Sequence, residues 1–445
     1  MNIIVIGLGE TGLSCVRYLC EQGHQITVMD TRQAPPQLNV LRAEHPEITV
    51  ILGDLPRDVL LQADRLVVSP GLSLQTPAIA EARAHGIECV GDIELFAQAC
   101  YVPVIAITGS NGKTTLTSLM GHMLSEVGYT VEVCGNIGEP VLNTLKNKPS
   151  DFYVMELSSF QLETTYSLRA KVAVVLNVSP DHMDRYETLQ AYSDAKFRVY
   201  AECETAVLNA DEPEIWRDFP LDKPHYTFSV APDSTVDFHL ASNNGEKFIF
   251  YKEEPWISLK ELPWQGQHNY QNTLAALAIG HALGLDKKQM FSSIKSFVGL
   301  PHRCQKIASF LGVDWYNDSK ATNVGAVIAA LNSLGPLYSD IILIAGGDAK
   351  NADLSSLKPP VCQFVSQVIL LGKDADRLEA LLSEVVQCRR VRTLDEAVAL
   401  AYDLAKPHSA VLLSPACASL DMFENYKQRG ELFVKAVKRI EHADE

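Results

Sequence analysis

The sequence predicts an α/β protein made of three consecutive α/β domains. Three observations carry that expectation. The chain has 445 residues, enough for about three domains of ordinary size. Short apolar runs alternate with amphipathic stretches over most of its length, the pattern of parallel sheets with right-handed crossovers. Polar, glycine-bearing turns follow several of these runs, where strand ends in such sheets hold ligands.

The first domain is expected over 1–91. NIIVIG, QITVMD, ITVIL and RLVVSPG read as strands, and Leu13 to Glu21 and Pro77 to Ala84 as helices. The first strand runs into GLGETG, where Gly7, Gly9 and Gly12 fit the G-x-G-x-x-G of a Rossmann-like nucleotide turn. Asp30 ends the second strand, roughly where an acidic residue meets a ribose. Taken alone, this stretch describes an NAD-dependent oxidoreductase.

The second domain is expected over 92–299. VPVIAIT, YTVEVCG, DFYVMELS and KVAVVLNVS are its strands. From Asp222 to Trp264 the pattern turns to alternation, as in STVDFHL and KFIFYKEEPWISL, which reads as hairpins appended to the α/β domain. NTLAALAIGHALG is a helix with a glycine stop. GLPHR (Gly299 to Arg303) marks the next boundary. The third domain, 300–445, has DIILIAGG, QVILLG and SAVLLSP as strand-then-turn units and is again Rossmann-like.

Composition narrows the function. Apolar residues make up 47% and charged residues 21%, which suits packed cores. Lys and Arg number 38 against 54 Asp and Glu, a formal net charge of −16. That balance speaks against nucleic-acid or anionic-membrane binding, which need basic footprints. The ten cysteines are scattered with no C-x-x-C pair, so neither a zinc site nor a disulfide framework is expected. No targeting segment and no run of about twenty apolar residues appears. The expectation is a soluble, cytoplasmic protein acting on small molecules.

The most specific chemistry lies in VIAITGSNGKTT, Val104 to Thr115. A buried strand enters a loop with Gly109, Ser110, Asn111 and Gly112, and Lys113, Thr114 and Thr115 open a helix. Backbone N–H groups and the dipole at a helix N-terminus cradle an anion. Lys113 reaches terminal phosphates, and the Thr114 hydroxyl suits Mg²⁺. Ile107 stands where the usual pattern has its first glycine. Glu156 ends the strand DFYVME, where a carboxylate reaches a metal. His182, in NVSPDHMDRY, follows another strand and is a candidate metal or phosphate contact. Lys196 lies within a helix pattern, and spacing alone leaves it an ordinary surface lysine. In the last third, WYNDSKATN, GGDAKNAD and SPACASLDMF form three polar loops at strand ends, the mark of a substrate edge.

TGSNGKTT, ELSSFQLE, NVSPDHMDRY, AYSDAKFRVY, GQHNYQN, LPHR, NDSKATN, GGDAK and SPACASLD, in this order, resemble the Mur ligases, ATP-dependent amide-forming ligases of peptidoglycan synthesis. NDSKATN and SPACASLD most resemble the branch that adds D-glutamate to UDP-N-acetylmuramoyl-L-alanine. The resemblance implies activation of the alanyl carboxylate as an acyl phosphate, then attack by the D-glutamate amine through a tetrahedral intermediate. It implies that Lys113 holds the β and γ phosphates, that Thr114 and Glu156 ligate one Mg²⁺, and that Glu156, His182 and Lys196 surround a second. Lys196 would carry a carbamate. Asn272, Arg303 and Asp318 would contact ATP. His182, Thr322, Lys350, Ser419 and Tyr426 would recognise D-glutamate. Gly9, Glu10, Thr11, Gly12, Asp30, Thr31, Arg32, Gly71, Asn136 and Ser158 would meet the UDP-substrate. A monomer is expected. Three alternatives compete: an NAD-dependent oxidoreductase, another amino-acid ligase of the same family, and a nucleotide-dependent binding or regulatory protein that only hydrolyses ATP.

Overall fold

The computed structural model describes residues 1–183, 185–232, 236–264 and 266–444. Asp184 of NVSPDHMDRY, and Ser234 and Thr235 of STVDFHL, lie outside them. The chain forms two compact units, one of Met1–Ser258 with Asn272–Lys295, the other of Leu259–Gln271 with Ser296–Glu445.

The first unit carries two sheets. In the N-terminal sheet the order is Thr49–Leu52, Gln25–Asp30, Asn2–Ile6, Arg65–Val68, Glu88–Val90, all parallel. Ile3, Ile4, Val5 and Ile6 are buried, as an unbroken apolar run should be in a central parallel strand. The strand order reverses on either side of Asn2–Ile6, which makes its carboxyl end the ligand crevice. The following helix spans Glu10–Glu21, three residues earlier than expected. Its first turn is polar, so apolar periodicity hides it, while Glu10 suits the positive end of the helix dipole.

The central sheet has nine strands. Its parallel core runs Val131–Gly135, Phe152–Glu156, Val104–Thr108, Ala170–Val175, Thr205–Asn209, His225–Pro232. Phe238–Asn243, Glu246–Tyr251 and Glu254–Ser258 then extend the same sheet. The alternating segment is therefore a meander that widens the sheet, since its strands present one buried face in line with the rest. The two sheets of this unit are tied by Glu94, whose carboxylate accepts from Tyr166 N at 2.7 Å, Ser167 N at 2.9 Å and Ser167 Oγ at 2.6 Å.

The second unit is a six-stranded sheet ordered Gln305–Phe310, Val313–Asn317, Ser409–Leu413, Asp340–Gly346, Val365–Leu371, Gln387–Arg390. All neighbours are parallel except the edge hairpin of Gln305–Phe310 with Val313–Asn317. Apolar cores cover both faces, as a doubly wound sheet requires. Among the described residues no helix is long and apolar enough to cross a membrane.

Candidate active site

A cavity of about 580 Å³ opens at the carboxyl edge of the N-terminal sheet. Gly9, Glu10, Thr11, Asp30, Thr31, Arg32, Gly71 and Asn136, all expected at a UDP site, line it. Gly7, Ser69, Pro70, Leu72, Gly135, Gly138, Pro140 and Gln161 complete the wall. The cavity thus continues from the nucleotide turn onto the end of the central sheet.

Gly12 and Ser158 do not line this cavity, and each has another task. A Cβ on Gly12 would fall 1.8 Å from the Gly7 carbonyl oxygen, so this glycine lets the helix press onto the turn. Ser158 caps the helix Ser159–Glu163: its hydroxyl accepts from Gln161 N at 3.2 Å, and Gln161 Oε1 accepts from Ser158 N at 3.1 Å. Ser158 therefore holds Gln161, which does line the cavity. Asp30 also differs from the dinucleotide pattern. Its Oδ2 accepts from Leu8 N and Arg32 Nη2, each at 2.7 Å, and its Oδ1 from Arg32 N at 2.8 Å and Nε at 2.9 Å. Burial works to raise this carboxyl, but the hydrogen bonds from Arg32 and the two N–H groups outweigh it and bring it down to about 2. Both oxygens are committed to the turn and to Arg32, which leaves a ribose no open carboxylate.

The phosphate-type loop follows the fully buried strand Val104–Thr108. Gly109 (φ 152°) and Gly112 (φ 80°) take backbone conformations that favour glycine, and Gly112 caps the helix Lys113–Val127. Lys113 Nζ donates to the carbonyls of Gly109 at 2.8 Å and Ser110 at 3.0 Å. Ser110 and Asn111 are anchored to 177–179: Asn177 Oδ1 accepts from Asn111 N at 2.8 Å, and Ser110 Oγ accepts from Ser179 N at 2.9 Å. Thr114 and Thr115 sit half-buried on the first helical turn. Asn272 is brought against this loop, since a Cβ on Gly112 would lie 2.7 Å from its Oδ1.

Glu156 ends the strand paired with the one that feeds this loop. It is 2% exposed. Its Oε1 accepts from Asn136 Nδ2 at 2.8 Å, while Oε2 is buried with no hydrogen-bond partner. Glu156 thus holds Asn136 of the cavity wall from the end of a strand that pairs with the one feeding the phosphate-type loop. His182 takes φ 55°, stays half exposed and meets the Phe160 ring edge-on at 4.9 Å.

Lys196 corrects the expectation of a surface lysine. It is 1% exposed, lies 4.4 Å over the Tyr192 ring, and donates to the Gly109 carbonyl at 2.9 Å. That carbonyl also accepts from Lys113. Burial, and next the Lys113 ammonium, hold the Lys196 amine well below the usual lysine range, against smaller opposing effects of Asp181 and Glu156. A signal for this burial was present. Tyr192, Lys196 and Tyr200 recur every four residues with Ala195 and Val199 beside them, the apolar stripe of a helix. Among the described residues, no three His, Cys, Asp or Glu side chains cluster as they would around a metal held by such side chains alone.

In the second unit Asp318 follows the strand Val313–Asn317 and is buried. Its carboxylate accepts from Ser414 Oγ at 2.8 Å and Cys304 N at 3.0 Å. Burial pushes it up to about 7. Arg303 adjoins it half-buried, and Thr322 is exposed. Lys350 stands exposed at φ 48° on the loop after Asp340–Gly346, its N–H donating to Asp348 Oδ1 at 2.8 Å. A bridge between Asp348 and Ala418 joins this loop to SPACASLD, where Ser419 is buried. Tyr426 opens the terminal helix, with Lys320 Nζ 3.9 Å over its ring. The buried Arg429, unmarked in the sequence, donates to the Ser319 hydroxyl and carbonyl and to the Cys417 carbonyl. It locks NDSKATN to SPACASLD.

Residues 1–91 match the N-terminal domain of MurD-like Mur ligases, 107–280 the Mur ligase middle domain, and 302–417 the Mur ligase glutamate ligase domain. The chain belongs to the Mur ligase family. Among its relatives, the UDP-N-acetylmuramoylalanine--D-glutamate ligase of Coxiella burnetii is 46% identical over 98% of each chain. That of Pseudomonas syringae pv. tomato is 48% identical over 98% of this chain and 97% of its own. The fold matches solved Mur ligases at lower identity. UDP-N-acetylmuramate-alanine ligase MurC from Thermotoga maritima has a TM-score of 0.61 at 17% identity, covering 99% and 100% of the two chains. MurF ligase from the same organism, solved with ADP, has a TM-score of 0.63 at 16% identity, covering 98% and 95%.

Proposed function

We propose that the chain is an ATP-dependent ligase joining D-glutamate to the alanyl carboxyl of UDP-N-acetylmuramoyl-L-alanine, a step of peptidoglycan precursor synthesis. The observation that carries this reading is Glu156. One of its oxygens holds Asn136 in the wall of the cavity, and the other is buried without a partner at the end of a strand that pairs with the one feeding the phosphate-type loop.

In this reading the turn of Gly9, Glu10, Thr11 and Gly12, with Asp30, Thr31, Arg32 and Gly71, grips the uridine diphosphate. Arg32 is the cation, aimed by Asp30. The muramoyl-alanyl end runs along Asn136 and Gln161 toward Glu156. An alanyl carboxylate oxygen attacks the γ-phosphorus of ATP, ADP leaves, and an acyl phosphate forms. The D-glutamate amine then attacks the carbonyl carbon, the tetrahedral intermediate expels phosphate, and the amine loses its proton. Carboxylate is a poor electrophile because its leaving group is oxide; phosphorylation changes that, and the protein supplies position and charge neutralisation. Lys113 neutralises the transferring phosphate. Asn272, Arg303 and Asp318 complete the nucleotide contacts, and Lys350, Thr322, Ser419 and Tyr426 take D-glutamate.

The orphaned Glu156 oxygen and the Thr114 hydroxyl suit Mg²⁺, which when bound screens the phosphate charges. Lys196 suits a carbamate. Its amine must be neutral to add CO₂ and release a proton, and the depressed amine meets that condition. The product would be a carboxylate-like anion that, together with His182, would serve a second cation. All ten cysteines are free thiols, which accords with work in the cytoplasm. The protein would act there as a monomer.

The test is phosphate release from ATP with each substrate omitted in turn. Release is expected only when both the UDP-substrate and D-glutamate are present. Undiminished release without either would leave a plain ATPase. UDP-substrate is also expected to raise the melting temperature, and NAD to leave it unchanged.

A further inference from the structure

Arg185, three residues beyond His182, carries more contacts than a loop arginine needs. Its side chain is 13% exposed. The guanidinium reaches from the central sheet to the wall of the long cavity. Nη1 donates to the Pro70 carbonyl at 2.8 Å, and Nη2 to the Leu72 carbonyl at 2.8 Å. These two residues flank Gly71, and all three line the cavity. Nη2 also meets Glu163 Oε2 at 3.3 Å.

The same side chain is tied to His182. The guanidinium carbon lies 4.0 Å from the centre of the Phe160 ring, and that ring packs edge-on against the imidazole. Arg185 N donates to the His182 carbonyl at 2.9 Å. His182 itself sits at φ 55°, a conformation a non-glycine residue keeps only when its neighbours impose it. One planar fork therefore fixes both the Pro70–Leu72 wall and the turn that presents His182. A lysine in its place could not serve two carbonyls, a carboxylate and a ring face together.

We infer that Arg185 is a positioning residue that couples occupation of the uridine-diphosphate cavity to the placement of His182. The inference rests on the ligase reading for what the cavity binds. A ligand against Pro70–Leu72 braces the carbonyls that hold Arg185, and Arg185 braces the His182 turn. Loss of the fork then weakens UDP-substrate binding and slows turnover together, and leaves ATP recognition alone.

The test compares Arg185→Lys and Glu163→Gln in the full chain. It measures calorimetric binding of the UDP-substrate to the protein alone, kcat, KM for each substrate, and melting temperature. For R185K, Kd for the UDP-substrate is expected to rise about tenfold and kcat to fall about tenfold, the scale of one charge-assisted hydrogen bond. KM for ATP should stay within about twofold, a split that general loosening would not give. E163Q should move the same two quantities less. R185K with unchanged Kd or kcat would overturn the inference, as would an equal rise in all three KM values. Should R185K fail to fold, E163Q with unchanged Kd and kcat would overturn it instead. Wild-type protein that binds no UDP-substrate would remove the ligase reading itself.

Discussion

Two glycine turns in the first unit look alike and behave differently. Each ends a buried strand and opens a helix. In Gly7–Gly12 one glycine, Gly12, brings backbone close to backbone, and the neighbouring Asp30–Arg32 pair is already satisfied within itself and by the Leu8 N–H. In Gly109–Lys113 two lysine amines converge on one carbonyl oxygen, and one of them is buried. The first turn is a surface for holding. The second brings a lysine cation and a buried, depressed lysine amine to one oxygen, where in the ligase reading a phosphate would change hands. A shared glycine pattern thus marks an anion site, and the side chains around it decide between binding and chemistry.

The sharpest way to break this contrast is at Lys113. Lys113→Ala should lower kcat by on the order of 10³-fold while leaving UDP-substrate affinity untouched. A variant that keeps substantial turnover would make the second turn a holding site too. Lys196→Ala should cost on the order of 10²-fold and regain part of that with added formate or acetate, which supply the missing carboxylate. Because the Lys196 amine is held below the usual range, it stays neutral where an ordinary lysine is protonated, and only further acidification protonates it and disfavours the carbamate. Activity after CO₂ stripping should therefore depend more on added bicarbonate as pH falls. A dependence of the opposite sign would contradict the carbamate.

The first turn should answer to backbone space instead. Gly12→Ala forces a Cβ against the Gly7 carbonyl oxygen and should destabilise by about 3 kcal/mol in denaturant unfolding. Gly9 has φ −94°, and a Cβ there would meet no atom within 4 Å, so Gly9→Ala should stay within about 0.5 kcal/mol. Equal effects at the two positions would refute the close-approach account. Arg32→Met, the mildest loss of function, should weaken UDP-substrate binding about tenfold. The Asp30 carboxyl sits near 2, below its ordinary 3.8, so the pair's contribution is complete above the ordinary value and fades only as pH falls toward 2. Binding should therefore be flat across neutral and mildly acidic pH.

Both turns were legible in the sequence because their constraints are local: a strand, glycines at fixed offsets, a helix start. The parallel cores were legible for the same reason, as continuous apolar runs. Thr205–Asn209 and Gln387–Arg390 were harder. The latter reads QCRR and lies at a sheet edge, where little burial is required. The far wall of the long cavity, Gly135 to Pro140 with Gln161, comes from another sheet, so no spacing could announce it. Ser158, expected at the cavity, instead caps the helix that carries Gln161 to its wall, a difference of one turn that residue type alone does not signal. Lys196 was hidden by its residue type, since a lysine on a helix is ordinarily solvated and only its neighbours' stripe argued otherwise. Arg185 and Arg429 act by gripping backbone carbonyls, a contact that leaves no pattern of its own.

The central claim is that the long cavity and the charged turn serve one reaction. The most direct test is the mass of what forms when the protein meets ATP, Mg²⁺, UDP-N-acetylmuramoyl-L-alanine and D-glutamate. The account predicts a UDP-substrate heavier by one glutamyl residue, formed in step with ADP and phosphate. An unchanged UDP-substrate alongside continuing ATP hydrolysis would contradict it.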